Sequence, residues 1–213
     1  ASWQAPGVSE LTSEKKALLT SGFEIGEIDG EITDRIKKVK EVLDLAGHAD
    51  ITTNLMGIRW SKLFINSTFS GMSAALGCTY GDVLDNEKAL TCAAYIGNEI
   101  IKIAKAKEIS MEPFQGHDLT SVEFEDKKQL FDKLEIYDNI FSPHRSIKAS
   151  MLNDLENGIF NTEIDYINGK VVSEGKKLSI STPFNSKVVE IVKKAEENEV
   201  VTNFDNLSEF KLP

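Results

Sequence analysis

Trp60-Ser61-Lys62-Leu63-Phe64-Ile65-Asn66-Ser67-Thr68-Phe69-Ser70 is the stretch that decides how this chain folds. Its large apolar residues, Leu63, Phe64, Ile65 and Phe69, spread around the helical wheel, while Lys62, Asn66 and Ser70 recur at i, i+4 and i+8. An α-helix brings that spacing onto one stripe. A helix that is apolar nearly all round belongs in a core, so its polar stripe meets either solvent or a cavity. Spacing alone favours solvent. In a cavity, a lysine could give its proton to a carbonyl oxygen as that oxygen becomes an alkoxide.

Working outward, this helix is expected from Ile58 to Leu76, and the 3.6-residue period persists to its C-terminal side. A second helix is expected from Asn86 to Lys107. On it, Leu90, Ala93, Ala94, Gly97, Ile100, Ile101 and Ala104 form a small-residue stripe suited to close packing. A polar stretch, Pro113 to Thr120, interrupts the pattern. Helical sequence resumes over Lys127–Tyr137, His144–Glu156 and Glu163–Glu174, then after Thr182-Pro183 as far as Asn198, proline being suited to a first turn. Val200 to Pro213 reads as a peripheral tail. Toward the N-terminus, Ser2 to Gly7 reads as a strand end and turn. Ala17 to Ile28 reads as a strand or hairpin, with Phe23 and Ile25 alternating against Glu24 and Gly26, and Asp29-Gly30 turns the chain. Thr33 or Asp34 caps a helix carrying Ile36, Val39, Val42, Leu43 and Ala46, closed by Gly47, and an extended segment follows at Ile51 to Thr53. Residues 1–56 are therefore a strand–helix–strand segment, too small to close a sheet domain of their own. Residues 57–213 form a helical domain, and the class is mainly α.

The 213 residues, 41% hydrophobic and 27% charged, can bury a core. A net charge of -10 repels phosphate backbones and anionic lipid, so neither nucleic acid nor a membrane surface is an expected partner. The paired lysines Lys37-Lys38 and Lys193-Lys194 read as solvated helix faces. No apolar run approaches the roughly 18 to 20 residues of a membrane span. Ala1 to Glu10 lacks the basic and apolar regions of a signal peptide, so a soluble, cytoplasmic protein is expected. Cys78 and Cys92 form no C-x-x-C pair, and His48, His117 and His144 are far apart, so no disulfide framework and no metal are expected. The chain has neither G-x-G-x-x-G nor G-x-x-x-x-G-K-[ST], so it cannot cradle a nucleotide's phosphates unaided.

A second constellation lies downstream. Ser150 and Asp154 share a helix face at i and i+4, with Met151 and Leu155 toward the core. Thr162 to Asp165 reads as a capping box, which by itself would account for Glu163.

Taken together, Trp60-Ser-Lys62-Leu with Asn66, Ser150-Met151-x-x-Asp154-Leu155, Thr162-Glu163-Ile164-Asp165-x-Ile-Asn168-Gly169 and Thr182-Pro183-x-Asn185 resemble the ketopantoate reductase (2-dehydropantoate 2-reductase) family in order and approximate spacing. The resemblance implies a helical C-terminal dehydrogenase domain of the 6-phosphogluconate-dehydrogenase-C-like type. It is preceded by a short β/α remnant of a Rossmann domain, most of which lies outside this sequence. It also implies an NADPH-dependent reductase of a small 2-ketoacid, converting 2-dehydropantoate to pantoate for pantothenate biosynthesis, and a homo-oligomer such as a dimer. Lys62 would be the general acid. Asn66, Ser70, Ser150 and Asp154 would bind or order substrate, and Glu163 would contact the cofactor's ribose or nicotinamide end. The main NADPH site would lie in the missing half, so the chain by itself is expected to be inactive. Two departures stand out: Ser70 replaces a second asparagine, and the interval from Asp154 to Glu163 is one residue longer than usual. The alternatives are a non-catalytic helical oligomerisation or binding module, and a reductase of another small oxoacid.

Overall fold

The computed structural model describes residues 2–5, 8–10 and 22–213; the turn expected at Pro6-Gly7 and the strand expected from Ala17 to Ser21 lie outside them. The chain divides into two compact units, Ala1–Ile58 and Arg59–Pro213.

In the first unit β1 (Ser2–Ala5) pairs antiparallel with β2 (Val8–Glu10). Strand β3 (Phe23–Ile25) pairs in parallel with β4 (Ala49–Ile51), Phe23 opposite Ala49 and Ile25 opposite Ile51. Helix α1 (Asp34–Leu43) joins these two strands, giving a small βαβ unit. Thr33 caps α1: its hydroxyl accepts from the Ile36 N–H at 3.2 Å and donates to Glu27 Oε1 at 2.6 Å. Of the apolar face expected on α1 only Ile36 is buried, and Val42 is 67% exposed. Two parallel three-residue strands offer too little surface to cover a helix of ten residues.

The second unit is helical. Helix α2 (Leu55–Ile65), one π turn (Asn66–Ser70) and α3 (Gly71–Leu76) make a continuous run that starts a turn earlier than the sequence suggests. Helix α4 (Tyr80–Asp85), not anticipated, is opened by a capping box in which the Thr79 hydroxyl and the Asp82 carboxylate each accept the other's backbone N–H. Helix α5 (Glu87–Ala106), capped by Asn86, runs through the core, with Ala93, Ala94, Ile96, Ile100, Ile101 and Ile103 fully buried. Gly97 explains the small-residue stripe: a Cβ there would lie 2.2 Å from Tyr137 Oη and 2.7 Å from Phe64 Cε2. The absent side chain lets the Phe64 and Tyr137 rings stack with centroids 6.1 Å apart. Tyr137 comes from α6 (Lys127–Phe141), which also places Phe141 on Phe69 at 3.9 Å.

Helix α7 (Ser150–Glu156) is shorter than expected, because Ser142–His144 with Pro143 form a 3-10 turn and Ala149 is extended. Helix α8 (Asn168–Leu178) likewise starts late, after a 3-10 turn at Ile164–Tyr166, and α9 (Pro183–Glu196) completes the bundle. The tail is not peripheral. Leu207 and Phe210 are buried, and Asn206 Nδ2 donates to the Ala75 carbonyl at 2.9 Å.

Candidate active site

The π turn determines where the side chains of the first motif go. The Gly71 N–H reaches the carbonyls of Asn66 and Thr68 and passes over that of Ser67. The Thr68 hydroxyl donates back to Phe64 O at 2.7 Å and Ile65 O at 3.1 Å, which seals the inner side of the turn. In a turn that closes on the fifth residue, four residues no longer bring a side chain back above itself. Lys62 and Asn66 therefore keep their α-helical relation, Lys62 exposed and Asn66 half-buried, but Ser70 leaves their stripe. Ser70 is buried, and its hydroxyl shares a 2.6 Å hydrogen bond with that of Tyr80. The three-member stripe read from the spacing is thus a two-member one. Lys62 is also outside the ion pairs of the described residues, in which Lys105 and Lys107 on α5 and its C-cap are engaged.

The second motif opens α7. The Ala149 N–H donates to the buried Ser73 Oγ at 3.1 Å, which pins the start of α7 to α3 and leaves Ser150 exposed on the first turn. Met151 and Leu152 are buried, whereas Leu155, expected in the core, is half-buried beside a half-buried Asp154. The Asp154 carbonyl accepts from Ile159 N at 2.8 Å as the helix ends.

The expected capping box at Thr162 is not formed. Both the N–H and the hydroxyl of Thr162 donate to Glu196 Oε1 at 2.7 Å, and Glu163 precedes the 3-10 turn without a side-chain cap. Its exposed carboxylate is therefore not used in capping.

Behind the π turn lies a buried polar network that the sequence reading gave no role. Glu99 Oε1 accepts from Phe184 N at 2.9 Å, and Oε2 accepts from Asn185 N at 3.0 Å and Asn185 Nδ2 at 2.6 Å. A carboxylate on α5 thus caps the N-terminus of α9, whose own Thr182 makes no side-chain cap. Asn185 Oδ1 accepts from Asn168 Nδ2 at 3.0 Å, and the same amide donates to the Ser67 carbonyl at 3.0 Å. Burial pushes the Glu99 carboxyl up to about 7, against the pull of its bonds to Asn185 and Phe184. A signal did exist: Asn98-Glu99 is a polar pair on a helix whose neighbouring positions Ile96, Gly97, Ile100 and Ile101 are all apolar.

Among the described residues no three histidine, cysteine, aspartate or glutamate side chains converge as a metal site requires. Burial pushes the Cys78 and Cys92 thiols up to about 12, which makes them poor nucleophiles. No helix among the described residues is long and apolar enough to cross a membrane. Helix α1 opens with Asp34 and follows Asp29 and Glu31, and Glu27 is paired with Arg35, so the segment entering this helix is acidic, which disfavours an anion at its N-terminus.

Residues 54–196, a span holding every residue of the motifs above, match the family model described as the ketopantoate reductase PanE/ApbA C terminal. The chain belongs to the ketopantoate reductase family. A curated relative from Pyrococcus horikoshii named 2-dehydropantoate 2-reductase is 28% identical over 162 residues, covering 76% of this chain and 48% of its own length. The present chain thus spans about half the length of the curated relatives it matches. The crystal structure of a PanE/ApbA family ketopantoate reductase from Ralstonia eutropha JMP134 shares the fold. It has a TM-score of 0.66 at 22% identity, covering 83% of this chain and 51% of that one. D-mandelate dehydrogenase, solved with NADH and anilino(oxo)acetate, shares it at a TM-score of 0.64 and 24% identity, covering 82% of this chain and 52% of that one. The mainly α class expected from periodicity is thus the helical C-terminal domain of ketopantoate reductases.

Proposed function

We propose that this chain is the helical, substrate-side part of an NADPH-dependent 2-ketoacid reductase that converts 2-dehydropantoate to pantoate. The observation that carries the proposal is the family match over residues 54–196, on which Lys62 sits exposed and without an ion pair among the described residues. Residues 1–56 are read as the last strands and helix of a nucleotide-binding domain and residues 57–213 as the catalytic and dimerisation domain. NADPH, held mainly by a nucleotide-binding half that is not in this sequence, supplies the hydride when bound.

The chain's own residues do the rest. Lys62 gives a proton to the ketone oxygen as negative charge develops on it. Asn66, one helical turn on, and Ser150, on the first turn of α7, offer neutral donors to the substrate's carboxylate and hydroxyl. Asp154 orders the Ser150 end of the site. Glu163, a carboxylate not used in capping, accepts from a hydroxyl or amide at the ribose or nicotinamide end of the cofactor. A homo-oligomeric, cytoplasmic enzyme with no nucleic-acid or membrane partner belongs to the same reading.

Reduction of a different small 2-oxoacid is favoured by one feature: the Ser70 hydroxyl is engaged by Tyr80 and is not free for substrate. The test joins this chain to its nucleotide-binding half and follows NADPH oxidation with 2-dehydropantoate and a panel of 2-oxoacids. Preference for 2-dehydropantoate supports the first reading, and preference for another oxoacid supports the second. No turnover of any of them overturns both and leaves a non-catalytic helical module.

A further inference from the structure

The π turn needs something to hold it open. In an α-helix the Gly71 N–H would meet the Ser67 carbonyl, four residues back. Here it meets Asn66 and Thr68 instead, and the Ser67 carbonyl, in a fully buried residue, is left to find another donor. A buried carbonyl without a partner is costly. The donor comes from a residue a hundred positions away: Asn168 Nδ2, at 3.0 Å.

The placement of Asn168 is unusual for its residue type. It is the first residue of α8, one past the cap position where asparagine commonly serves its own helix, and that cap position, Ile167, offers no side-chain cap. Its amide is fully buried and aimed across at the π turn, with one N–H on Ser67 and the other on Asn185 Oδ1. The orientation of the amide is enforced in a chain of bonds. Glu99 accepts from Asn185 Nδ2, so Asn185 must turn its Oδ1 toward Asn168, and Asn168 must turn its Nδ2 toward Ser67. Space for the amide comes from Gly71. Its backbone is ordinary helix at φ -61°, so glycine is there for room: a Cβ would lie 2.6 Å from Asn168 Oδ1 and 3.1 Å from Nδ2.

We propose that Asn168 is a positioning residue for the reductase site: by taking the Ser67 carbonyl it holds the π turn that turns Ser70 inward and sets how Lys62 and Asn66 stand relative to the helices that follow. This inference rests on the reading of Asn66 as a substrate contact and of Lys62 as the acid on the preceding turn. Relaxation of the π turn to an α turn would hand the Ser67 carbonyl back to Gly71 and rotate everything after Asn66. Ser70 would then return to the stripe of Lys62.

The experiment uses the complete enzyme, this chain with its nucleotide-binding half, and compares Asn168→Ala, Asn168→Asp, Gly71→Ala, the Gly71→Ala/Asn168→Ala double variant and Glu174→Gln. Glu174 lies on the same helix, bonded to Lys107, Lys170 and Lys177, and serves as a control for general loss of stability. Asn168→Ala, Asn168→Asp and Gly71→Ala are expected to raise KM for the 2-ketoacid about tenfold or more and lower kcat, with KM for NADPH unchanged. The double variant is expected to match Asn168→Ala alone, and Glu174→Gln to leave both constants alone. A crystal structure of Asn168→Ala should show the Gly71 N–H on the Ser67 carbonyl. An intact π turn in that variant, or constants that move no more than those of Glu174→Gln, would overturn the proposal. The reductase reading itself fails separately, on a wild-type enzyme that turns over no ketoacid, and the positioning role falls with it.

Discussion

Two sets of polar residues in the helical unit differ in character. Lys62, Ser150 and Glu163 are exposed, Lys62 outside every described ion pair and Glu163 outside the capping scheme. Ser67, Asn168, Asn185 and Glu99 instead form one run of buried hydrogen bonds. Burying a polar group is costly unless it is bonded. The Asn168 and Asn185 amide nitrogens, the Ser67 carbonyl and the Glu99 carboxylate are all bonded, so this set explains itself as structure even though Ser67 Oγ and Asn168 Oδ1 have no partner among the described residues. The exposed set, Lys62 on α2, Ser150 on α7 and Glu163 just before a 3-10 turn, leaves its polar groups open to solvent. What separates a structural from a functional polar residue here is whether the protein itself already uses its bonds.

The largest expected effect on folding lies in the buried set. Glu99→Ala strips the acceptor from two backbone N–H groups of α9 and from the Asn185 amide, and is expected to cost about 3 kcal/mol in urea unfolding. Lys62→Ala and Glu163→Gln are expected to stay within about 0.5 kcal/mol of wild type. Equal costs in both sets would dissolve the comparison.

Next in size is a pH effect. Glu99 titrates at about 7 in the fold against 4.5 ordinarily, so folding favours its protonated form. Its contribution is fully present below pH 4.5, shrinks as pH rises and is gone above about 7. Stability should therefore fall across that window by at most about 3 kcal/mol relative to Glu99→Gln, which has no such proton to lose. Three lysine bonds hold Glu174 well below the usual carboxylate range, so its contribution is present above pH 4.5 and is lost as the solution is acidified further. Parallel pH profiles for wild type and Glu99→Gln between 4.5 and 7 would remove Glu99 from this role.

A smaller effect tests the residue that left the Lys62 stripe. Ser70→Ala leaves the buried Tyr80 hydroxyl without its partner, and about 1 kcal/mol of stability should go with it. Turnover should change less than about threefold, and a tenfold loss would return Ser70 to the exposed set. The smallest effect comes from Tyr137, whose fully buried hydroxyl has no hydrogen-bond partner. Tyr137→Phe is expected to be neutral or to stabilise by up to about 1 kcal/mol, and a clear loss of stability would mean that the hydroxyl is satisfied.

Much of this was legible in the sequence, for reasons that particular residues show. The period of Leu90 to Ala104 gave α5 to within a residue, because a buried helix of twenty residues repeats its apolar positions often enough to be read. Thr33 and Pro183 marked helix starts by local chemistry alone. The π turn was not legible, since Asn66 to Ser70 fit an α-helical stripe equally well. What widens the turn is Asn168, which is local to it only in space. The capping box at Thr162 failed for a similar reason: Glu196 on α9 takes the Thr162 N–H that the box's own carboxylate would accept, and the Thr162 hydroxyl accepts from Ile164 N. Helix α4 was overlooked because six residues are too few to show a period, although Thr79 and Asp82 announced its cap.

The most direct test of the central claim is kcat for Lys62→Ala in the complete enzyme, measured with NADPH and its best 2-ketoacid beside a urea melt of the same protein. The account predicts a loss of about 10² to 10⁴ in kcat with the melt unchanged, as removal of a general acid from an exposed helix position requires. Undiminished turnover, or a loss that tracks unfolding, would contradict it.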